Sequence, residues 1–275
     1  MMYGTTKAGG KTFGTVFSVA PNGKEAVLYR FLGTDGAKPQ GRLTNVNGKL
    51  YGTTSAGGKY GNGTVFSITQ SGVEAVLHSF GGTSGEDGTA PQAGLVNVSG
   101  KLYGTTTLGG AHDRGTVFEI TPSGTETVLY SFAGGTGDGS EPLSGVINLN
   151  GTLYGTTSRG GTSNFGTVFA VTTSGKETIV HSFIARGDGA YPQAGLINVS
   201  GTLYGTTYAG GANSFGAVYS ITPSGAENII YSFGGFSGDG SNPYGEVIDV
   251  KGALYGTTFL GGANMVGTVY SLTGI

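Results

Sequence analysis

Leu50-Tyr51-Gly52-Thr53-Thr54 decides the fold, because LYGTT or a close variant returns along the whole chain. Its tyrosine recurs at Tyr3, Tyr51, Tyr103, Tyr154, Tyr204 and Tyr255, at intervals of 48, 52, 51, 50 and 51 residues. Each copy is followed by a Gly-Gly pair and then by GTVF, GAVY or GTVY, ending at Phe17, Phe66, Phe118, Phe169, Tyr219 and Tyr270. A fixed period of this length marks a repeat architecture, in which each unit buries its apolar face only against a neighbour.

Composition bounds the class. Of 275 residues, 57 are glycine and only 11% are charged, against ~25% charged in an ordinary soluble domain. The glycines fall at repeat positions, and a hydrophobic content of 37% predicts a folded core rather than a disordered tract. A net charge of −2, with 14 scattered Lys and Arg, leaves no basic stripe for a phosphate backbone, so nucleic acid is not an expected partner. Without cysteine there are no disulfides, thiolate metal sites or cysteine nucleophile. No apolar run approaches the ~20 residues of a membrane helix, and no signal peptide is expected in Met1–Gly10.

The stretch Gly94 to Phe132 shows the grammar of one unit. Leu95 to Val98 is a short apolar strand, Ser99-Gly100 a hairpin turn, and Lys101 to Thr106 a second strand. Gly115 to Ile120 is a third strand, Pro122-Ser123-Gly124 a turn, and Thr127 to Phe132 a fourth. First-to-second and third-to-fourth connections are tight; second-to-third and fourth-to-first connections, such as Gly109 to Gly115 and Ala133 to Gly145, are long and variable. In an up-and-down meander alternate connections share an edge, so the long loops are expected on one face. Four-stranded antiparallel units of this length predict an all-β protein, a β-propeller. The units are 2–42, 43–94, 95–145, 146–195, 196–246 and 247–275 within a single domain spanning 1–275. The chain opens at a second strand and ends after a third, so six blades with incomplete first and last members are expected. A five-bladed ring and an open piece of a longer array are the alternatives.

The order of elements resembles a kelch-type blade, although the chain has no tryptophan. It is more similar to the GloVer-type glycine-rich tandem repeat of bacterial exported and surface proteins. The shared elements are Gly94-Leu95-Val96, Gly100 to Thr106, Gly109-Gly110, Gly115 to Phe118 and Leu129 to Phe132. That resemblance implies an extracellular or cell-surface location and leaves biochemical activity open.

Most acidic residues are repeated with the unit. Glu25, Glu74, Glu126, Glu177 and Glu227 open the fourth strand, and Asp35, Asp87, Asp138, Asp188 and Asp239 each precede a glycine in the fourth-to-first loop. Symmetric copies argue against a catalytic pair, which needs two carboxylates in different environments; Asp-Gly reads first as turn chemistry. Calcium is the one cofactor weighed, with Glu86, Asp87, Asp138 and Asp239 as weak candidate ligands, since one Asp per loop is few for 6–8 oxygens. Arg186-Gly187-Asp188 spells a cell-attachment tripeptide, but its Gly-Asp belongs to the repeat. His78 and His181 stand where Tyr29, Tyr130 and Tyr231 stand in other units, and read as strand residues with a polar tip. Three histidines are too few for a His-rich metal site.

Candidate ligand-binding residues are those expected at the mouth of the long-loop face. Gln40, Gln92, Gln193 and Tyr244 each follow a proline, and Leu143 takes the same position in a further unit. Amides with an aromatic at a concave mouth suit a neutral ligand such as a glycan. Arg42 and Glu246 replace a repeat glycine and are expected near one another across the closure. His112-Asp113-Arg114 is a charged insertion in one long loop. The function expected is a non-catalytic, monomeric module binding a glycan or protein through the long-loop face. A glycan-active hydrolase or lyase using His112, Asp113, Arg114, Glu86 and Glu141, and a purely structural or adhesive repeat, are the alternatives.

Overall fold

The computed structural model describes residues 1–9, 13–82 and 86–274, arranged as two compact units, Met1–Phe132 and Ala133–Ile275. In the first unit a three-stranded sheet (Met2–Thr6, Thr15–Val19, Glu25–Arg30) precedes two four-stranded meanders. These are Thr44–Val46, Lys49–Ala56, Thr64–Thr69, Glu74–Ser79 and then Val96–Val98, Lys101–Thr106, Thr116–Ile120, Glu126–Ser131. The second unit has two further meanders, Ile147–Leu149, Thr152–Thr157, Thr167–Thr172, Glu177–Ser182 and Ile197–Val199, Thr202–Thr207, Ala217–Ile221, Glu227–Ser232. It ends on Ile248–Val250, Ala253–Gly261 and Val269–Thr273. Every pairing between these strands is antiparallel, as the tight turns predicted, with strand boundaries within about a residue of expectation. Among the described residues no helix is long and apolar enough to cross a membrane.

The turn residues explain the hairpins. Asn47-Gly48, Ser99-Gly100, Asn150-Gly151, Ser200-Gly201 and Lys251-Gly252 all hold φ between 51° and 90°, the double left-handed geometry that matches strand twist. In four of these an Asn two residues before the turn, and Asp249 in the fifth, accepts the glycine N–H, as Asn97 Oδ1 does from Gly100 at 3.0 Å.

Period-two alternation gives each sheet two apolar faces, and the core lies between successive sheets. Tyr51, Val65 and Phe80 of one sheet pack with Leu95, Leu102, Phe118 and Ile120 of the next. In the second unit Tyr154, Val168 and Phe183 pack with Leu196, Leu203, Tyr219 and Ile221. Within each unit the phenylalanine ending a LYSF-like strand meets the GTVF ring of the following sheet edge-on, as Phe80–Phe118 at 5.2 Å and Phe183–Tyr219 at 5.2 Å. Such pairs add ~0.5–1.5 kcal/mol beyond the burial itself.

Threonines lock the same junctions. The second Thr of LYGTT bonds the Thr of GTVF, as Thr106 Oγ1 with Thr116 Oγ1 at 2.8 Å and Thr157 with Thr167 at 2.7 Å. Thr207 faces Ala217 instead and its buried hydroxyl has no partner among the described residues. Ala217→Thr is therefore expected to raise the unfolding free energy by about 0.5–1.5 kcal/mol, read as a higher urea midpoint; an unchanged or lower midpoint would contradict this account.

The long, variable connections are themselves paired. Each fourth-to-first connection pairs as a short ribbon with the Gly-Gly segment of the next sheet: Gly88–Thr89 with Leu108–Gly109, Gly139–Ser140 with Arg159–Gly160, and Gly189–Ala190 with Ala209–Gly210. Backbone hydrogen bonds between loops hold this edge, a strong constraint that apolar periodicity does not reveal.

Candidate functional site

The loop edge of each sheet turns on the residue before a proline. Lys38, Ala90, Glu141, Tyr191 and Asn242 all adopt φ of 54–57°, the left-handed region that a non-glycine residue enters at a cost. Each is tied down by its own peptide group. Ala90 N–H donates to Asn62 O at 2.8 Å and its carbonyl accepts from Thr107 N; Tyr191 N–H donates to Phe165 O at 2.7 Å and its carbonyl accepts from Tyr208 N. The backbone is thus the same at each copy while the side chain varies. Sequence reading selected the residue after the proline and passed over this one, whose signal was its variability beside fixed neighbours.

The residues after the prolines are also placed on this edge. Gln40 Nε2 donates to Ser55 Oγ at 3.0 Å, and Gln92 Nε2 to Thr107 Oγ1 at 3.0 Å, so these amides partly serve their own loops. Gln193 and Leu143 are half-buried. Tyr244 is 57% exposed and sits between two rings, edge-on to Tyr208 at 6.4 Å and tilted against Phe259 at 6.4 Å. Phe259 is itself 63% exposed. In the same unit a cleft of about 400 Å³ opens among Phe165, Arg186, Tyr191, Gly211 and Ser214. Tyr191 packs edge-on to Phe165 at 5.4 Å, with the Arg159 guanidinium 5.5 Å from its ring centre.

The charged candidates lie in several different loops. In the first unit His112, Asp113 and Arg114 are exposed, and Asp113, at φ 53°, accepts the Gly109 N–H at 2.9 Å as a turn residue. In the second unit Glu141 pairs with Arg159 at 3.7 Å. Arg42 is exposed in the first unit, its backbone lying over Gly94; Glu246 belongs to the second, its carboxylate lying over Gly195. Glu86 is exposed, and its neighbour Gly85 lies outside the described residues.

The repeated Asp of the loop is a staple. Asp138 accepts from Ala133 N and Gly139 N at 2.6 Å each, and Asp239 from Gly234, Gly235 and Gly240. Asp87 accepts from Gly81 and Gly82. These carboxylates therefore spend much of their acceptor capacity on backbone amides, as Asp-Gly turn chemistry does. Asp188 is likewise buried and held by Ile184 N and Gly189 N, so the Arg186-Gly187-Asp188 tripeptide does not present its carboxylate.

Three of the staples are also met by a residue of the preceding fourth strand and by a glutamate of the next sheet. Tyr29 donates to Asp35 at 2.6 Å beside Glu74, His78 meets Asp87 at 3.3 Å beside Glu126, and His181 meets Asp188 at 3.1 Å beside Glu227. Burial pushes the Glu74, Glu126 and Glu177 carboxyls up to about 7, with the Asp35 charge adding to it at Glu74 and the Asp138 charge at Glu177. Asp87 and Asp188 are held below the ordinary range, because hydrogen bonds from histidine and backbone amides outweigh the opposing effect of burial. Sequence reading placed these histidines in strands but did not bring them to the carboxylates, since the contact joins two sheets.

Solved structures share this architecture. The virginiamycin B lyase of Staphylococcus aureus matches 99% of the chain and 85% of its own with a TM-score of 0.58 at 16% identity. A streptogramin B lyase matches 94% of the chain and 72% of its own at 0.59 and 16% identity, and a putative gluconolactonase matches 94% and 81% at 0.52 and 13%. The fold is a β-propeller, and the sheets described above are its blades. The chain belongs to the Gloeobacter/Verrucomicrobia repeat family, whose pattern matches residues 1–202 and 150–274. Comparison with curated proteins gave no match.

Proposed function

We propose that the protein is a non-catalytic binding module, acting outside the cell or at its surface, that takes a neutral glycan on the loop edge of its blades. The observation that carries this reading is the pair of exposed rings Tyr244 and Phe259 beside the half-buried Tyr208, held on hydrogen-bonded segments. Rings fixed on a rigid frame stack on the apolar faces of sugars with little ordering cost, and exposed aromatic surface of this kind is uncommon without a partner. The nearby cleft adds Tyr191 and the Arg186 guanidinium, whose planar donors suit hydroxyl oxygens. The charged residues an enzyme would draw on are spread over separate loops.

The test is calorimetric titration with soluble plant and bacterial polysaccharides, with reducing ends assayed in parallel. Binding by one glycan class is expected without release of new ends. Tyr244→Ala is expected to weaken it at least ~10-fold, an anchor contribution of about 1.4 kcal/mol or more. A panel without binding, or a Tyr244→Ala protein that binds as well as the parent, refutes the proposal. Steady release of reducing or unsaturated ends transfers the protein to the glycan-active enzymes.

A further inference from the structure

Two blade junctions carry an imidazole where others carry a phenol. In the first unit His78, Asp87 and Glu126 bring one ligand atom each to within 4.8 Å of one another; in the second, His181, Asp188 and Glu227 do the same. Three observations separate these clusters from ordinary surface acids. The Asp87 side chain is only 4% exposed, yet its Oδ1 has no hydrogen-bond partner among the described residues. Buried oxygens Glu126 Oε1 and Glu227 Oε1 are orphaned in the same way. Both clusters also place two carboxyl groups side by side with a single imidazole.

An orphaned buried oxygen is destabilising, and a cation placed among the three groups removes that cost. A tetrahedral ion holding nitrogen and oxygen ligands at ~2.0–2.2 Å sets them about 3.3–3.6 Å apart. The three groups, within 4.8 Å of one another, reach that spacing by closing on the ion through rotation of the glutamate side chain. Imidazole with two carboxylates suits zinc and its neighbours better than calcium, which prefers an all-oxygen shell. We propose that His78–Asp87–Glu126 and His181–Asp188–Glu227 are two equivalent binding sites for a divalent transition-metal ion of the zinc class, each leaving a coordination position for water. The ion replaces the histidine–aspartate hydrogen bond and fastens two neighbouring blades.

The protein contains its own negative comparison. At the Tyr29–Asp35–Glu74 junction the same aspartate and glutamate are present, but burial and the Asp35 hydrogen bond push the phenol well above its usual range, so it stays a neutral donor and offers no third ligand. Replacing either histidine by tyrosine therefore reproduces a junction that the fold already contains.

The experiment titrates the metal-stripped full chain with zinc chloride by calorimetry and with cobalt chloride by visible absorption. Two equivalents are expected, with dissociation constants below ~10 µM and a raised melting temperature. H78Y and H181Y each lose one equivalent and H78Y/H181Y loses both, along with the cobalt bands, while its circular dichroism and metal-free melting temperature stay near the parent's. Absence of micromolar binding by the parent overturns the proposal, as does retention of two equivalents by the double variant. One equivalent, lost with only one of the two histidines, overturns the equivalence of the sites.

Discussion

Gly104→Ala is expected to lower the unfolding free energy by about 1–3 kcal/mol, the usual cost of forcing an extra methyl group into a filled core. A Cβ at Gly104 would stand 2.7 Å from Leu95 Cδ2 and 2.7 Å from Phe118 Cζ. Neither neighbour has room to retreat: Phe118 is fully buried, and Phe80 lies edge-on to it from the preceding blade. The glycine of LYGTT is the floor on which the GTVF ring rests, and Gly52 and Gly155 show the same crowding under Phe66 and Phe169. Gly137, which has open space around its Cβ position, is the comparison, and Gly137→Ala is expected to leave stability nearly unchanged. Urea unfolding of the two variants decides the matter: equal midpoints would show that the blade core repacks freely and that ring-on-glycine contact does not select the residue.

Stability is expected to fall as pH rises from about 5 to 8, by on the order of 1 kcal/mol for each buried glutamate after allowing for partial solvent access. Glu74 and Glu177 have carboxyls raised from 4.5 to about 7 in the folded protein. A carboxyl whose folded pKa is raised binds its proton more tightly in the folded than in the unfolded state. The folded state is therefore favoured while the group stays protonated, and the advantage disappears as pH climbs through about 7. Asp87 and Asp188 act with the opposite sign. Their folded pKa values are depressed, so their contribution is present above the ordinary aspartate value of 3.8 and is lost below it. The two effects predict a stability maximum in mildly acidic solution. Melting temperatures at about pH 5 and pH 8 should differ in that direction for the parent and much less for E74Q/E177Q, which carries neutral amides at those places. A parent protein that melts higher at pH 8 would remove the buried glutamates from this role.

Much of the blade was legible because its signals are local. Asn47-Gly48 and its copies announce hairpins through their dihedral needs, and the alternation of Leu102, Gly104 and Tyr103 announces which side chains face which neighbour. What escaped depends on which strands and loops the fold brings face to face. His78 is one strand residue among several until the fold brings Asp87 and Glu126 beside it. Ala217 reads as a mild variant of a threonine until Thr207 is found facing it without a partner. The loops looked variable and therefore free, yet their peptide groups pair with the next blade while only their side chains differ. Glycan-contact candidates such as Gln92 were chosen by position; the half-buried ring of Tyr208 and the exposed ring of Phe259 lay in segments that vary between repeats and carried no positional mark.

The left-handed residue before each proline sets a rule for how such a protein can diversify. Its peptide group is hydrogen-bonded whether the side chain is lysine, alanine, glutamate, tyrosine or asparagine, and Glu141 and Asn242 add side-chain contacts to Arg159 and to Tyr208 O. The dihedral angle admits residues unbranched at Cβ and penalises valine, isoleucine and threonine; lysine, alanine, glutamate, tyrosine and asparagine occupy the five copies. Each repeat thus displays one letter of a restricted alphabet in a standard frame. Point mutation at that letter, or duplication of a whole repeat carrying it, changes the side chain on display without rewriting how the chain folds.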